Sequence, residues 1–228
     1  MQDLMNLEGA TTEEKALFYR KTYGHVAGGV LVFILVEYLF LQSQTIVNFA
    51  LSLLDGYLWL ITLGGFMLVT HYAESVVAKS HDRNVQYLGY LLYIIAEAFI
   101  FVPLIYIAIA YANGPVLQQA AILTLSLFTG LSAVVLLTKK DFSFLRSIIT
   151  IASFIALGLI VAGILFGFEL GLWFSVGMVA LAAGAILYQT SNLVHKYQSD
   201  QYVVAALGLF SALMLLFWYI LRIFLSRD

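Results

Sequence analysis

Acidic residues inside long apolar stretches are the side chains of this sequence best suited to chemistry. Glu97 lies near the middle of an apolar stretch, six residues before Pro103, and Glu37 lies about two-thirds of the way along another. Charged groups in lipid are costly, and those that occur there commonly serve proton or cation transfer. The alternative is that each carboxyl is neutral and hydrogen-bonds to a neighbouring helix. Both readings are open for both residues.

A second candidate is the pair His71 and Glu74, which lie three residues apart near the end of an apolar stretch. Residues at this spacing share one face of a helix, so the two side chains can form a titratable pair. An ion pair at the membrane surface is the structural alternative.

Most enzyme classes are excluded by what the sequence lacks. There are no cysteines, and the four histidines are scattered. No metalloprotease, serine-hydrolase or phosphate-binding motif is present. The net charge of −2 gives no basis for binding nucleic acid. We therefore predict a protein that is not an enzyme and has no metal or cofactor site.

The elements that position these residues are predicted to be membrane-spanning helices. Hydrophobic residues make up 62% of the 228 residues and charged residues only 11%, whereas a globular domain has roughly 25% charged residues. A helix of about 20 residues crosses the hydrocarbon core of a bilayer. We predict an all-α integral membrane protein: a polar tail at residues 1–20, then one domain at 21–228. The predicted spans are 22–44, 57–78, 86–111, 115–138, 145–167, 170–190 and 201–225.

The basic residues predict the orientation of the chain. With seven spans, nine of the 11 Lys and Arg residues fall on one side of the membrane, and only Arg222 and Arg227 fall on the other. Cytoplasmic loops are enriched in Lys and Arg. The N-terminus is therefore predicted to be cytoplasmic and the C-terminus outside.

Small residues repeat at helical spacing in three of the spans. Gly24 and Gly28 form a small-xxx-small pattern, which lets helices approach closely. A similar face in the last two spans predicts that they pack tightly together. Its residues are Gly177, Ala180 and Gly184 in one span and Ala205, Gly208 and Ala212 in the other.

Two segments lie at the ends of predicted spans: TKKDFSFL at 138–145, between the fourth and fifth spans, and ILYQTSNLVH at 186–195, which closes the sixth span. Both segments resemble signatures of the Bax inhibitor-1 family, most closely its bacterial YccA branch. The residues that carry the resemblance are Lys140, Asp141, Ser143, Phe144, Thr190 and Asn192. Asp141 and Ser143 are also expected to cap the helix that follows them.

The resemblance implies six helices around a central, very apolar seventh helix in the bacterial cytoplasmic (inner) membrane. It also implies a function as a modulator and substrate of the membrane-anchored protease FtsH, in membrane-protein quality control. FtsH would grip the cytoplasmic tail, and removal of residues 1–20 is expected to leave the bundle folded. The oligomeric state stays open.

The alternative implied by the family is a pH-sensitive leak channel for calcium or protons. In such members two acids on the last two helices share a proton and latch the pore. Here the first position is Gln189 and the second falls at about Ala212. Neither side chain ionises, so the family's latch is missing and any ion pathway would depend on other acids, chiefly Glu97.

Overall fold

The described part of the chain folds into a bundle of α-helices, most of which are long. The computed structural model describes residues 11–54, 56–112 and 115–226. Seven of the helices in this part of the chain are long and apolar enough to span a membrane, as predicted. The helices are α1 (Thr12–Leu41), α2 (Gln44–Ser52), α3 (Tyr57–Lys79), α4 (Arg83–Ala110), α5 (Val116–Thr138), α6 (Leu145–Phe166), α7 (Gly171–His195) and α8 (Tyr202–Leu225).

Helix α1 begins ten residues before the predicted first span. Thr11 and Glu14 form a capping box, in which the Thr11 N–H donates to Glu14 Oε2 (2.8 Å) and the Glu14 N–H to Thr11 Oγ1 (3.3 Å). This pairing satisfies N–H groups that the first turn of a helix leaves free. The part of the predicted tail from residue 12 to residue 20 is therefore helical and continuous with the first span. Residues 1–10 of the predicted tail lie outside the described residues.

Helix α2 was not predicted. It occupies most of what the sequence analysis treated as a loop, and nine residues are too few to cross a bilayer. Its buried residues Val47 and Ala50 pack against Val102 of α4. The first span therefore ends at Leu41, before this helix, and not at residue 44.

The other helix limits lie close to the predicted spans, except at the end of α7. That helix continues to His195, five residues beyond the predicted limit. Hydropathy marks the part of a helix that lies in lipid, whereas the helix itself ends where its backbone hydrogen bonds end.

Helix α8 forms the centre of the bundle. It packs against α7, α1, α5, α4 and α3. Within its most apolar 18 residues 67% are buried, compared with 11% for α6. The structure thus agrees with the expectation of a central last helix. Helix α4 is the second most buried span, at 56%.

The glycines that permit close packing differ from those that the sequence pattern indicated. A Cβ at Gly24 or Gly28 would meet no atom within 4 Å, whereas one at the neighbouring Gly29 would collide with the Tyr90 hydroxyl. The predicted packing role of the Gly24 and Gly28 pattern inside this chain was therefore wrong. The close pairing of α7 and α8 is confirmed, since these two helices share an extensive interface. The small-residue face predicted for α7 does not form it, because Gly177 and Ala180 are exposed and a Cβ at Gly184 would approach only Ile149 of α6.

Four of the basic segments come together at one end of the bundle, which we call the basic end. The Arg83 guanidinium donates to the carbonyl of Asp200 (2.9 Å) and lies 4.4 Å from the centre of the Tyr202 ring. Lys21 lies over the same ring. The His195 ring contacts the Lys139 carbonyl oxygen at 3.2 Å. The alternation of loops with and without Lys or Arg thus agrees with seven crossings.

Candidate functional site

Glu97 lies in the interior of the bundle beside a small cavity, which we call the Glu97 cavity. Its volume is about 230 Å³, and α3, α4 and α8 line it. The Glu97 side chain is only 7% exposed. The residues that line the cavity include Leu63, Phe66, Tyr93, Ser211, Met214 and Trp218. The acid that the sequence analysis placed near the middle of its span is thus also buried inside the helix bundle.

The polar groups of the Glu97 cavity connect α4 to the central helix. The Tyr93 hydroxyl donates to Ser211 Oγ of α8 at 2.7 Å. Tyr93 lies one turn before Glu97 on α4, and the two side chains interact. Both the carboxyl and the phenol can exchange protons or hydrogen bonds with a small polar guest.

His71 and Glu74 lie on α3 and are both exposed on the surface of the bundle. The two residues interact electrostatically, and Glu74 also interacts with Glu97. Glu74 is thus within electrostatic range of Glu97, but neither His71 nor Glu74 lines the Glu97 cavity. Among the described residues no three carboxylate or imidazole groups gather as a metal site would require.

Glu37, the fourth candidate, lies in a different cavity. That cavity has a volume of about 410 Å³ and is lined by α1, α4, α5 and α8; we call it the Glu37 cavity. The Met214 side chain lines both cavities.

An aromatic layer lies between the two cavities. Phe101 lines the Glu97 cavity, and its ring centre lies 5.3 Å from that of Phe33 and 5.6 Å from that of Phe217. Phe33 and Phe217 in turn line the Glu37 cavity. The two buried acids are therefore separated by packed rings and not joined by polar groups along this layer.

The first position of the family's latch packs against the central helix one turn before the second position. The Gln189 amide of α7 packs against Gly208 of α8, where a Cβ would lie only 3.0 Å from it. Ala212 is buried one turn further along α8. A larger residue at position 208 would crowd the amide, and the Gln189 side chain would have to shift by a few tenths of an ångström.

The loop between α5 and α6 is ordered and docked onto α7 near the basic end. Asp141 Oδ1 accepts from the Ser143 N–H (2.8 Å) and from the Ser191 hydroxyl (3.2 Å), while Ser191 Oγ accepts from the Phe142 N–H (2.9 Å). These hydrogen bonds, led by that of the Ser143 backbone, lower the pKa of Asp141. The loop reverses direction at Lys139, which has a φ of 52°.

The predicted capping of the next helix was wrong in its detail. Helix α6 has Phe144 at its N-cap, and no side chain caps it. Asp141 instead stabilises the loop itself and anchors it to Ser191, a residue that the sequence analysis did not select. The sequence could have indicated Ser191 only through its position inside the motif at 186–195.

The remaining motif residues divide between surface and interior. Lys140 and Phe144 are exposed, and Thr190 and Asn192 are buried. The Thr190 hydroxyl and the Asn192 side-chain oxygen have no hydrogen-bond partner among the described residues. The Thr190 hydroxyl lies near that of Tyr23 on α1, which the sequence analysis also missed.

Comparison with known proteins identifies the family. The profile described as "Inhibitor of apoptosis-promoting Bax1" matches residues 15–228. The chain belongs to the Bax inhibitor-1 family. No solved structure gives a significant match.

Bax inhibitor-1 relatives similar to this chain occur in bacteria and plants. The "Modulator of FtsH protease YccA" of Escherichia coli strain K12 is 32% identical over 174 residues, which are 75% of this chain and 76% of that protein. The "BI1-like protein" of Arabidopsis thaliana is 29% identical over 224 residues, 92% of this chain and 81% of the relative. A protein of Pseudomonas aeruginosa is 38% identical over 113 residues, 49% of this chain and half of that protein's length.

Proposed function

We propose that this Bax inhibitor-1 family protein is a non-enzymatic modulator and substrate of a membrane-anchored protease of the FtsH type. The observation that carries the proposal is the similarity to the E. coli modulator of FtsH protease, which extends over three-quarters of both chains. The proposal places the protein in a bacterial inner membrane, with its basic end in the cytoplasm.

The architecture restricts where a protease could engage the protein. The loops between the described helices are short, so they offer a protease little chain to grip. Helix α1 begins at the Thr11 capping box, and Phe18 of its second turn is fully buried at 1% exposure. The expectation that residues 1–20 make no core contact was therefore wrong. A protease that starts at the N-terminus would grip residues 1–10 and then have to extract α1.

A truncation at the capping box tests this proposal. Removal of residues 2–10 is expected to slow turnover in cells that contain the FtsH-type protease, with no change in melting temperature. A variant in which residues 2–10 are replaced by a Gly-Ser segment of equal length keeps an initiation tail and should be degraded as fast as the wild type. Unchanged turnover of the truncated protein, with an intact bundle, would contradict the proposal.

The second candidate function is an ion or proton leak, and one observation favours it. The Glu97 cavity shares Leu63, Trp218 and Tyr219 with a vestibule of about 510 Å³ at the end opposite the basic end. Glu169 and Arg222 line that vestibule. A half-channel from there to Glu97 would be short, but the aromatic layer and the uncharged Gln189 and Ala212 argue against a continuous pathway.

Flux measured against pH in liposomes separates the two functions. For the proposed modulator we expect calcium flux to be small and nearly flat between about pH 6 and pH 8, because no pair of acids shares a proton at the latch. A steep rise that Glu97→Gln abolishes would favour the leak, with Glu97 as its sensor. A steep rise of calcium flux with pH that survives both Glu97→Gln and His71→Ala would show that other titratable groups serve as the latch.

A further inference from the structure

Glu37 of α1 has a buried carboxyl group without a protein partner. Its side chain is 4% exposed, and neither carboxyl oxygen has a hydrogen-bond partner among the described residues. An unpaired buried carboxyl is costly whether it is ionised or neutral, because both forms need hydrogen-bond partners. A group in this state is suited to a ligand that supplies donors.

The Glu37 cavity has the composition of a ligand site. Its volume of about 410 Å³ lies in the range of small-molecule pockets, which are mostly apolar with a few polar groups. Its walls are apolar side chains such as Phe33, Ile109 and Phe217. The Thr124 hydroxyl, also in the wall, already donates to the Ala120 carbonyl at 2.7 Å. No Lys, Arg or His lines the cavity.

The cavity lies near the end of the bundle opposite the basic end. Glu37 is one turn before the end of α1, Ile109 is in the last turn of α4, and Leu117 is in the first turn of α5. Helix ends at this position lie close to the membrane surface. A ligand can therefore place a polar head near Glu37 while its apolar part stays among the helices or in lipid.

We propose that the Glu37 cavity binds an amphiphile with a primary ammonium group. The ammonium supplies three N–H donors and one positive charge to the two unpartnered oxygens of Glu37, and an alkyl chain fills the apolar walls. The same chemistry is present in the headgroup of phosphatidylethanolamine and in free long-chain amines. The proposal does not depend on the protease or on ion flux.

Thermal stability with matched probes tests the ammonium requirement. Dodecylamine is expected to raise the melting temperature of the purified protein by at least about 2 °C, because a ligand that binds only the folded state stabilises it. Dodecanol, which has the same chain and no charge, should not do so. The dodecylamine shift should be lost in Glu37→Gln and kept in Glu97→Gln, which changes a buried acid in the other cavity.

Two further experiments identify the source of the amine and provide a second variant in case Glu37→Gln does not fold. In nanodiscs, a higher melting temperature with phosphatidylethanolamine than with phosphatidylcholine would identify a lipid ligand. Equal values, with the dodecylamine shift retained, would identify a free amine. If Glu37→Gln does not fold, Ala121→Phe fills the cavity without changing the carboxyl and should abolish the shift. A shift that persists in either variant, or no amine effect in the wild type, would overturn the proposal.

Discussion

At the scale of single residues, two adjacent glycines of α1 have opposite surroundings. A methyl group at Gly29 would collide with the Tyr90 hydroxyl and lie 3.2 Å from Phe210 Cδ2, whereas one at Gly28 would meet open space. We expect Gly29→Ala to lower stability by about 1–3 kcal/mol, as overpacking does. Gly28→Ala, the control, has the same gain in helix propensity without the collision, so it should melt at or slightly above the temperature of the wild type. Equal melting temperatures for the two variants would contradict the assigned contact.

Asp141 allows a prediction about pH. Its hydrogen bonds lower its pKa in the folded protein. Its stabilising effect is therefore present above the unfolded pKa of about 3.9 and is lost as the pH falls through the lower folded value. We expect Asp141→Ala to reduce hydrogen-exchange protection of the Ser143 amide about three-fold at pH 7. Once the pH has fallen below the lowered folded pKa, the variant and the wild type should converge.

Ser191→Ala is the matched test of the same loop. It removes the anchor on α7 but leaves the bond from the Ser143 N–H to Asp141. We expect it to expose the Phe142 amide and to leave the Ser143 amide protected. Loss of protection at both amides would show that the loop is held as one unit.

At the scale of elements, the second turn of α1 contributes a side chain to the folded core. Phe18 is 1% exposed, whereas its neighbour Leu17 is 41% exposed. We expect Phe18→Ala to destabilise the protein by about 3–5 kcal/mol, the usual cost of a large cavity, and Leu17→Ala to have little effect. Thermal melting of both variants in one detergent checks this. If Phe18→Ala is as stable as the wild type, the part of α1 before Arg20 does not contribute to the stability of the core.

At the scale of the whole molecule, the basic end is expected to face the cytoplasm. A fluorescent protein that folds only in the cytoplasm should be dark when fused to the C-terminus and bright when fused after Lys140. The physical reason is that Lys and Arg residues in short loops are retained on the cytoplasmic side. A bright C-terminal fusion would show that the C-terminus is cytoplasmic and would contradict the predicted orientation.

Much of the architecture was predictable from the sequence because lipid imposes a local condition on each span. Every backbone polar group in lipid must be bonded within its own segment, so a long apolar run such as 145–167 already predicts a helix. The basic residues then predicted the alternation of the loops, and two short motifs predicted the family. The depth of Glu97 also followed from its distance to the ends of its own span.

The tertiary structure alone decided which residues meet. In lipid a helix is apolar on every side, so its sequence does not mark the face that turns inward, and neighbouring helices meet through close packing. For that reason Gly29 and not Gly28 contacts Tyr90, and Glu37 lies in a separate cavity from Glu97. The anchor between Asp141 and Ser191 joins residues 50 positions apart, beyond the reach of any local pattern.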